Sequence, residues 1–359
     1  MWKKLFSLGM SGKLIRILKS LYENATTKVR MEHGLTQPID ITEGVLQGEI
    51  LSPFLYNLYV SEIEKLLINS NIPGVKITRD FFLHLLCYAD DTVVLAYTPV
   101  HLQQKINILR SYFDELGLKV NLSKTKVMVF RRGGRLQHGL DFRYGEDKVE
   151  IVSEYTYLGV PFSSSGVFVK AAKHFKQKGM AALGSVWKVI MGGKTNSWFA
   201  KYTLFRSICC SSTLYASHLW GLRYLELVED VQQHFYKKLM GVSRLVPRYL
   251  VRLECGVPPM KLHIIKQCLM YMVKVNNMEE HRYTKKCFIA LYNEYMSGEY
   301  GPLNWIGQYM SSEDLSSNLK VKDTVTILCL LKEQAYPIGT TVTTSPMMWI
   351  PFDIPSERI

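Results

Sequence analysis

Apolar side chains recur at helical spacing in the first two dozen residues, where 2–9 and 12–24 each predict a short helix. In the second, Ser11 stands where an N-cap belongs, and Leu14, Leu18, Leu21 and Tyr22 share one face. The period then changes. TKVRME (27–32) and IDITEGV (39–45) read as strands. Ser52-Pro53 opens a helix, with the hydroxyl as cap and the proline in the first turn, and its apolar face runs from Phe54 to Leu67. Phe81 to Cys87 and Thr92 to Tyr97 predict two strands joined by a tight turn at Tyr-Ala-Asp-Asp. A further amphipathic helix runs from Pro99 to about Leu116 and ends at Gly117. KVMVFRR (126–132) is strand-like, and KVEIV (148–152) with YTYLGV (155–160) predicts another strand pair. Beyond residue 166 the pattern is mainly helical, broken at GGK (192–194), at Pro247 and at GVPP (256–259). Strands interspersed with helices make this an α+β chain.

One run stands out from this pattern. In LLCYADDTVVLA (85–96) two adjacent carboxylates, Asp90 and Asp91, interrupt an apolar, β-branched stretch. Like charges repel, and burial penalises ionisation. Aspartate is a turn former, so a solvated turn is one reading. A hairpin tip that presents two acids to a divalent cation is the other.

Length and composition narrow the class. At 359 residues the chain suggests two or three packed units, and 47% hydrophobic with 12% aromatic residues supports real cores. No apolar stretch reaches the length of a membrane span, and MWKKLFSLGM lacks a secretory h-region. Cysteines 87, 209, 210, 255, 268, 287 and 329 form no CxxC pair, which argues against a zinc ribbon or a disulfide framework. The expectation is an intracellular protein, nuclear or cytoplasmic and not secreted. Of the net charge of +13, residues 163–250 carry +10, with thirteen Lys/Arg against Glu226, Glu229 and Asp230. A basic segment interleaved with aromatics suits a surface that tracks phosphates, though a solvated cationic face would look the same.

Four strings then occur in a fixed order: GVLQGEILSPFLYNLY (44–59), YADD (88–91), GLKVNLSKTKVMVF (117–130) and YLGV (157–160). Together they resemble the reverse transcriptase of a non-LTR, LINE-type retrotransposon, from the second motif of its palm through the primer-grip hairpin. The stretch 241–259 also resembles the region after the thumb in such elements. The resemblance implies a partial right-hand polymerase palm over 1–162, a basic, helical thumb-like region over 163–255, and a mostly helical tail over 256–359. It implies RNA-directed DNA polymerisation with two Mg²⁺ (or Mn²⁺) ions, an RNA template, a DNA primer and deoxynucleoside triphosphates, with no membrane. Asp90 and Asp91 match the metal-binding acids, and Tyr88 the residue against the primer terminus. Gln47 and Gly48 match the turn beneath the templating base and incoming nucleotide, where glycine lets backbone come close. Lys124 matches a position near the triphosphate, where a lysine neutralises charge or protonates pyrophosphate. A surface loop lysine is the plain alternative. Tyr157, Leu158 and Gly159 match the primer grip.

The family also carries an earlier palm aspartate, on a strand that precedes a segment like MWKKLFSLGM. That aspartate, the fingers and any upstream endonuclease are expected to lie outside this chain, which leaves a truncated palm without polymerase activity of its own. A non-catalytic RNA- or DNA-binding remnant, a decayed fragment and a group II intron maturase are the alternatives; KTKVMVF, YLGV and the basic helical region fit the LINE type better, and telomerase is less close for the same reason. His263 to Cys268 and His281 to Cys287 do not make a zinc set.

Overall fold

The computed structural model describes residues 1–298 other than 24, 42, 43, 45–47 and 132. These form two compact units, 1–125 with 140–149, and 126–139 with the chain from Glu150 onward. The division differs from the one expected at 162 and 255. Among the described residues no helix is long and apolar enough to cross a membrane. The expected tail beyond 298, including the proline-punctuated end over 340–359, lies outside the described residues.

The first unit opens with α1 (Trp2–Ser7) and α2 (Gly12–Glu23). Ser11 caps α2, its hydroxyl accepting the Leu14 amide at 3.3 Å. Only half of the expected apolar face is covered: Leu18 and Tyr22 are buried with Leu5 and Leu55, while Leu14 and Leu21 are exposed. Four short strands follow, β1 (Thr26–Thr27), β2 (Arg30–Met31), β3 (Gly34–Leu35) and β4 (Ile39–Asp40), with the β2–β3 pair nested inside β1–β4.

The helix expected to run from Ser52 to Leu67 is two helices, α3 (Ser52–Tyr59) and α4 (Ile63–Asn69). The Ser61 hydroxyl donates to the Leu58 carbonyl at 2.8 Å, competing with the helical ladder at the break. Nor is Ser52 the cap. Leu51 holds that position without a side-chain bond. Ser52 is buried inside the first turn, where its hydroxyl donates to the Glu49 carboxylate at 3.3 Å and meets the Tyr22 hydroxyl at 3.2 Å. Tyr22 itself donates to Glu49 at 2.7 Å, so this carboxylate gathers two hydroxyls from different helices.

Two hairpins and a helix complete this unit. β5 (Val75–Lys76) pairs with β6 (Phe82–Leu83), and β7 (Leu85–Tyr88) with β8 (Asp91–Val94). Helix α5 (Pro99–Glu115) has the expected limits: Thr98 caps it by accepting the His101 amide at 3.1 Å, and Pro99 sits in its first turn. A small core of Ile63, Leu67, Leu85, Leu109 and Tyr112 joins α4, β7 and α5.

The later strands are β9 (Lys126–Met128), β10 (Phe142–Tyr144), β11 (Asp147–Val152), β12 (Glu154–Tyr157) and β13 (Val160–Ser163). The start of β11 pairs antiparallel with β10 in the first unit, and Glu150–Val152 run parallel to β9 in the second. The expected pairing of 148–152 with 155–160 is replaced. A two-residue turn at Leu158–Gly159 folds YLGV back on itself, so β12 takes β13 as partner.

Helices make up the rest of the second unit: α6 (Val169–Gly192), α7 (Trp198–Leu204), a π turn over Phe205–Cys210, α8 (Ser211–Thr213), α9 (Ser217–Trp220), α10 (Leu225–Met240), α11 (Arg248–Cys255), α12 (Met260–Asn276) and α13 (Tyr283–Met296). Breaks fall at the Gly and Pro clusters, as the pattern predicts. One continuous apolar core runs from Val160 to Phe288, so the GVPP break separates two helices of one body. Gly179 lets α6 approach its neighbours, since a Cβ there would run into the Thr213 hydroxyl. Buried Glu229 on α10 accepts the Lys261 amide at 3.1 Å and meets Arg252 at 3.2 Å, tying three helices together. Burial nevertheless holds its carboxyl above the usual range.

Candidate functional site

The tip of the β7–β8 hairpin carries the paired acids. Leu85 faces Val94, Leu86 faces Val93, Cys87 faces Thr92 and Tyr88 faces Asp91, which leaves Ala89 and Asp90 as a two-residue loop. Ala89 takes a left-handed φ of +49°, a conformation in which a Cβ is crowded and which two-residue hairpin loops favour because it matches strand twist. Asp90 and Asp91 are both exposed. Exposure at a tip explains how two adjacent carboxylates coexist: water screens them, while the strands beneath stay apolar.

The base of this hairpin is held by a cation. The Lys105 ammonium on α5, fully buried, donates to the Leu95 carbonyl at 2.7 Å and to the Pro73 carbonyl at 3.1 Å. It thus joins the end of β8 to the loop before β5. Burial pushes its pKa down. His84, buried between β6 and β7, is lowered by burial and then by the Lys105 charge. On α3, burial raises the Tyr56 hydroxyl, and Cys87 and Asp90 add to the shift, so this tyrosine lies within electrostatic reach of the acidic tip. Sequence reasoning passed over both Lys105 and Tyr56. Tyr56 lies inside the GVLQGEILSPFLYNLY string but off the apolar face, which was the one available signal.

The remaining expected positions in this unit lie on other loops. Gly48 is exposed with φ +87°, and Gln47 lies outside the described residues. Lys124 is exposed in a turn built by Asn121, whose carbonyl accepts the amides of Lys124 at 3.2 Å and Thr125 at 3.0 Å. The Asn121 side chain accepts the Ser123 hydroxyl at 2.7 Å. The NLSKT string therefore shapes its own loop and presents a lysine from it.

Residues 1–162 match the family described as reverse transcriptase (RNA-dependent DNA polymerase). The chain is 27% identical over 168 residues to a Pol polyprotein from the type-1 retrotransposable element R2 of Popillia japonica, covering 45% of this chain and 27% of that protein. It is 21% identical over 277 residues to the RNA-directed DNA polymerase from mobile element jockey of Drosophila melanogaster, covering 74% of this chain and 29% of that protein. An R2 polyprotein of Bradysia coprophila is 28% identical over 166 residues, covering 44% of this chain and 19% of that protein. Residues 1–162 are a reverse transcriptase domain of the LINE type. The chain spans under a third of the length of these curated relatives.

Within this reverse transcriptase domain, Asp90 and Asp91 offer the hard oxygen donors that Mg²⁺ and Mn²⁺ take. Among the described residues no group of three or more His, Cys, Asp or Glu could hold a metal ion. The acidic tip fits such an ion as a two-carboxylate part of a site. Tyr157, Leu158 and Gly159 belong to the second unit, at the β12–β13 turn, where Leu158 and Gly159 have left-handed φ of +47° and +77°. The six described cysteines are free. Burial pushes Cys209, Cys210 and Cys268 up to about 12, so they behave as small apolar side chains and not as nucleophiles.

Proposed function

We propose that this chain carries part of the active site of an RNA-directed DNA polymerase and binds an RNA template with a DNA primer. The observation that supports it most directly is the pair of exposed carboxylates on a two-residue hairpin tip, inside a reverse transcriptase domain. Asp90 and Asp91 would hold divalent metal, which would supply activation of the primer hydroxyl and charge stabilisation of the leaving pyrophosphate. Tyr88, paired opposite Asp91, packs against the primer terminus, and Lys124 offers a proton or a positive charge to the pyrophosphate. Gln47 and Gly48 receive the nucleotide, and the Tyr157–Gly159 turn steadies the primer. The basic segment 163–250 tracks phosphates in a thumb-like role.

For the chain on its own, the reading is that it binds substrate without extending it. The charge of residues 163–250 supports the binding half of this reading. Primer extension on an RNA template with Mg²⁺, run beside duplex binding, tests both halves. The expected result is salt-steep binding that survives Asp90→Asn with Asp91→Asn, and no extension. Extension that vanishes in Asp90→Asn would overturn the inactivity and keep the polymerase assignment. Absence of binding would overturn the nucleic-acid reading.

A further inference from the structure

The β12–β13 turn is held by a side chain fifty-seven residues further along. Tyr215 lies between α8 and α9, and its hydroxyl donates to the Leu158 carbonyl at 3.0 Å. Its ring also covers the next residue, since a Cβ built on Gly159 would sit 3.5 Å from the ring's Cε1. Both turn residues have left-handed φ, which a leucine adopts only at some cost, so the turn's carbonyl direction needs support. Tyr215 supplies it from outside the hairpin.

Tyr215 is itself anchored. Its carbonyl accepts the indole N–H of Trp220 at 3.1 Å. Trp220 is fully buried and stacks on Phe175 of α6, with centroids 5.3 Å apart and planes 10° from parallel. Phe175 also meets the Tyr215 ring at 5.7 Å. The residue after Tyr215, Ala216, takes φ +50°, another left-handed position without glycine. Two non-glycine residues in this conformation thus stand close to the two ends of one hydrogen bond. Yet Tyr215 remains 42% exposed, so its place is not explained by burial of the ring. The bond reads as a strut between the helical core and the turn.

We infer that Tyr215 is a positioning residue for the Leu158–Gly159 turn, fixing the turn's backbone against the helical core so that it meets a primer strand in one orientation. The functional part rests on the reading of Tyr157–Gly159 as a primer contact. Tyr215→Phe removes the hydroxyl and keeps the ring, and two measurements on the full chain separate the outcomes. Amide hydrogen exchange over 157–160 should rise about three- to tenfold in Tyr215→Phe, the scale of one lost hydrogen bond, with exchange in α12 unchanged. Affinity for a DNA primer annealed to RNA should fall by a similar factor, while affinity for unpaired RNA stays the same. Unchanged exchange at the turn would overturn the strut. Faster exchange with unchanged duplex affinity would overturn its functional part. If the unmodified chain binds no duplex, the primer-contact reading falls, and the exchange result alone decides whether Tyr215 holds the turn.

Discussion

The two hairpin tips of this chain use one backbone device in different ways. At Ala89–Asp90 and at Leu158–Gly159, a two-residue loop reverses the strand with a non-glycine residue at left-handed φ. The first tip presents carboxylates and is supported at its base, where Lys105 binds the Leu95 carbonyl. The second is supported at the tip itself, where Tyr215 binds the Leu158 carbonyl. The surroundings differ as well. The first hairpin rests on a core of five buried residues, the second unit on one continuous core that spans most of its helices. A tip that works through charged side chains needs only a firm base, because its donors project from it. A tip that works through its backbone must have the backbone itself held.

That difference can be broken or sharpened by substitution. Gly159→Val should have the largest effect, about 3 kcal/mol of lost stability, because a β-branched residue at this φ also meets the Tyr215 ring. Chemical denaturation monitored by circular dichroism reads it. Acid comes next. His218, stacked on Tyr271 in the second unit, is lowered by burial to about 4. Its folded pKa lies below the ordinary value of about 6.5, so the unfolded chain binds the proton first. Stability is therefore intact above about pH 6.5 and falls as pH drops toward 4, by about 2 kcal/mol after discounting for partial exposure. His218→Phe should flatten that dependence in pH-dependent denaturation. Smaller and opposite in sign, Ala89→Gly and Leu158→Gly should each stabilise by about 0.5–1 kcal/mol, because glycine adopts positive φ without steric cost. A loss in either variant would mean that its tip is not strained. Smallest of all, Asp90→Asn with Asp91→Asn should leave the unfolding midpoint within about 0.5 kcal/mol, since both side chains are exposed.

The same contrast explains what could be read from the sequence. Asp90 and Asp91 announced their hairpin because turn-forming acids between two β-branched runs are a local signal. Ser11 and Pro99 likewise announced helix starts by local signals. Long-range partners were silent. Nothing in 148–160 says that β11 pairs with β9 and β10 while β12 pairs with β13, because alternation fixes a strand but not its neighbour. Lys105 reads as a polar position on an amphipathic helix, and its full burial follows from two carbonyls that the fold delivers to it. Glu49 accepts hydroxyls from Tyr22 on α2 and Ser52 on α3, partners that its own loop does not announce. The four strings identified the domain, whereas the struts that steady its tips needed coordinates.

Metal binding at the first tip is the most direct test of the account. Mn²⁺ titration followed by electron paramagnetic resonance, on the full chain and on Asp90→Asn with Asp91→Asn, requires neither primer nor activity. Weak binding of Mn²⁺ is expected, as two carboxylates give, lost in the double variant and displaced by Mg²⁺. Equal binding by both proteins, or none by either, would contradict the assignment of the acidic tip as a metal site.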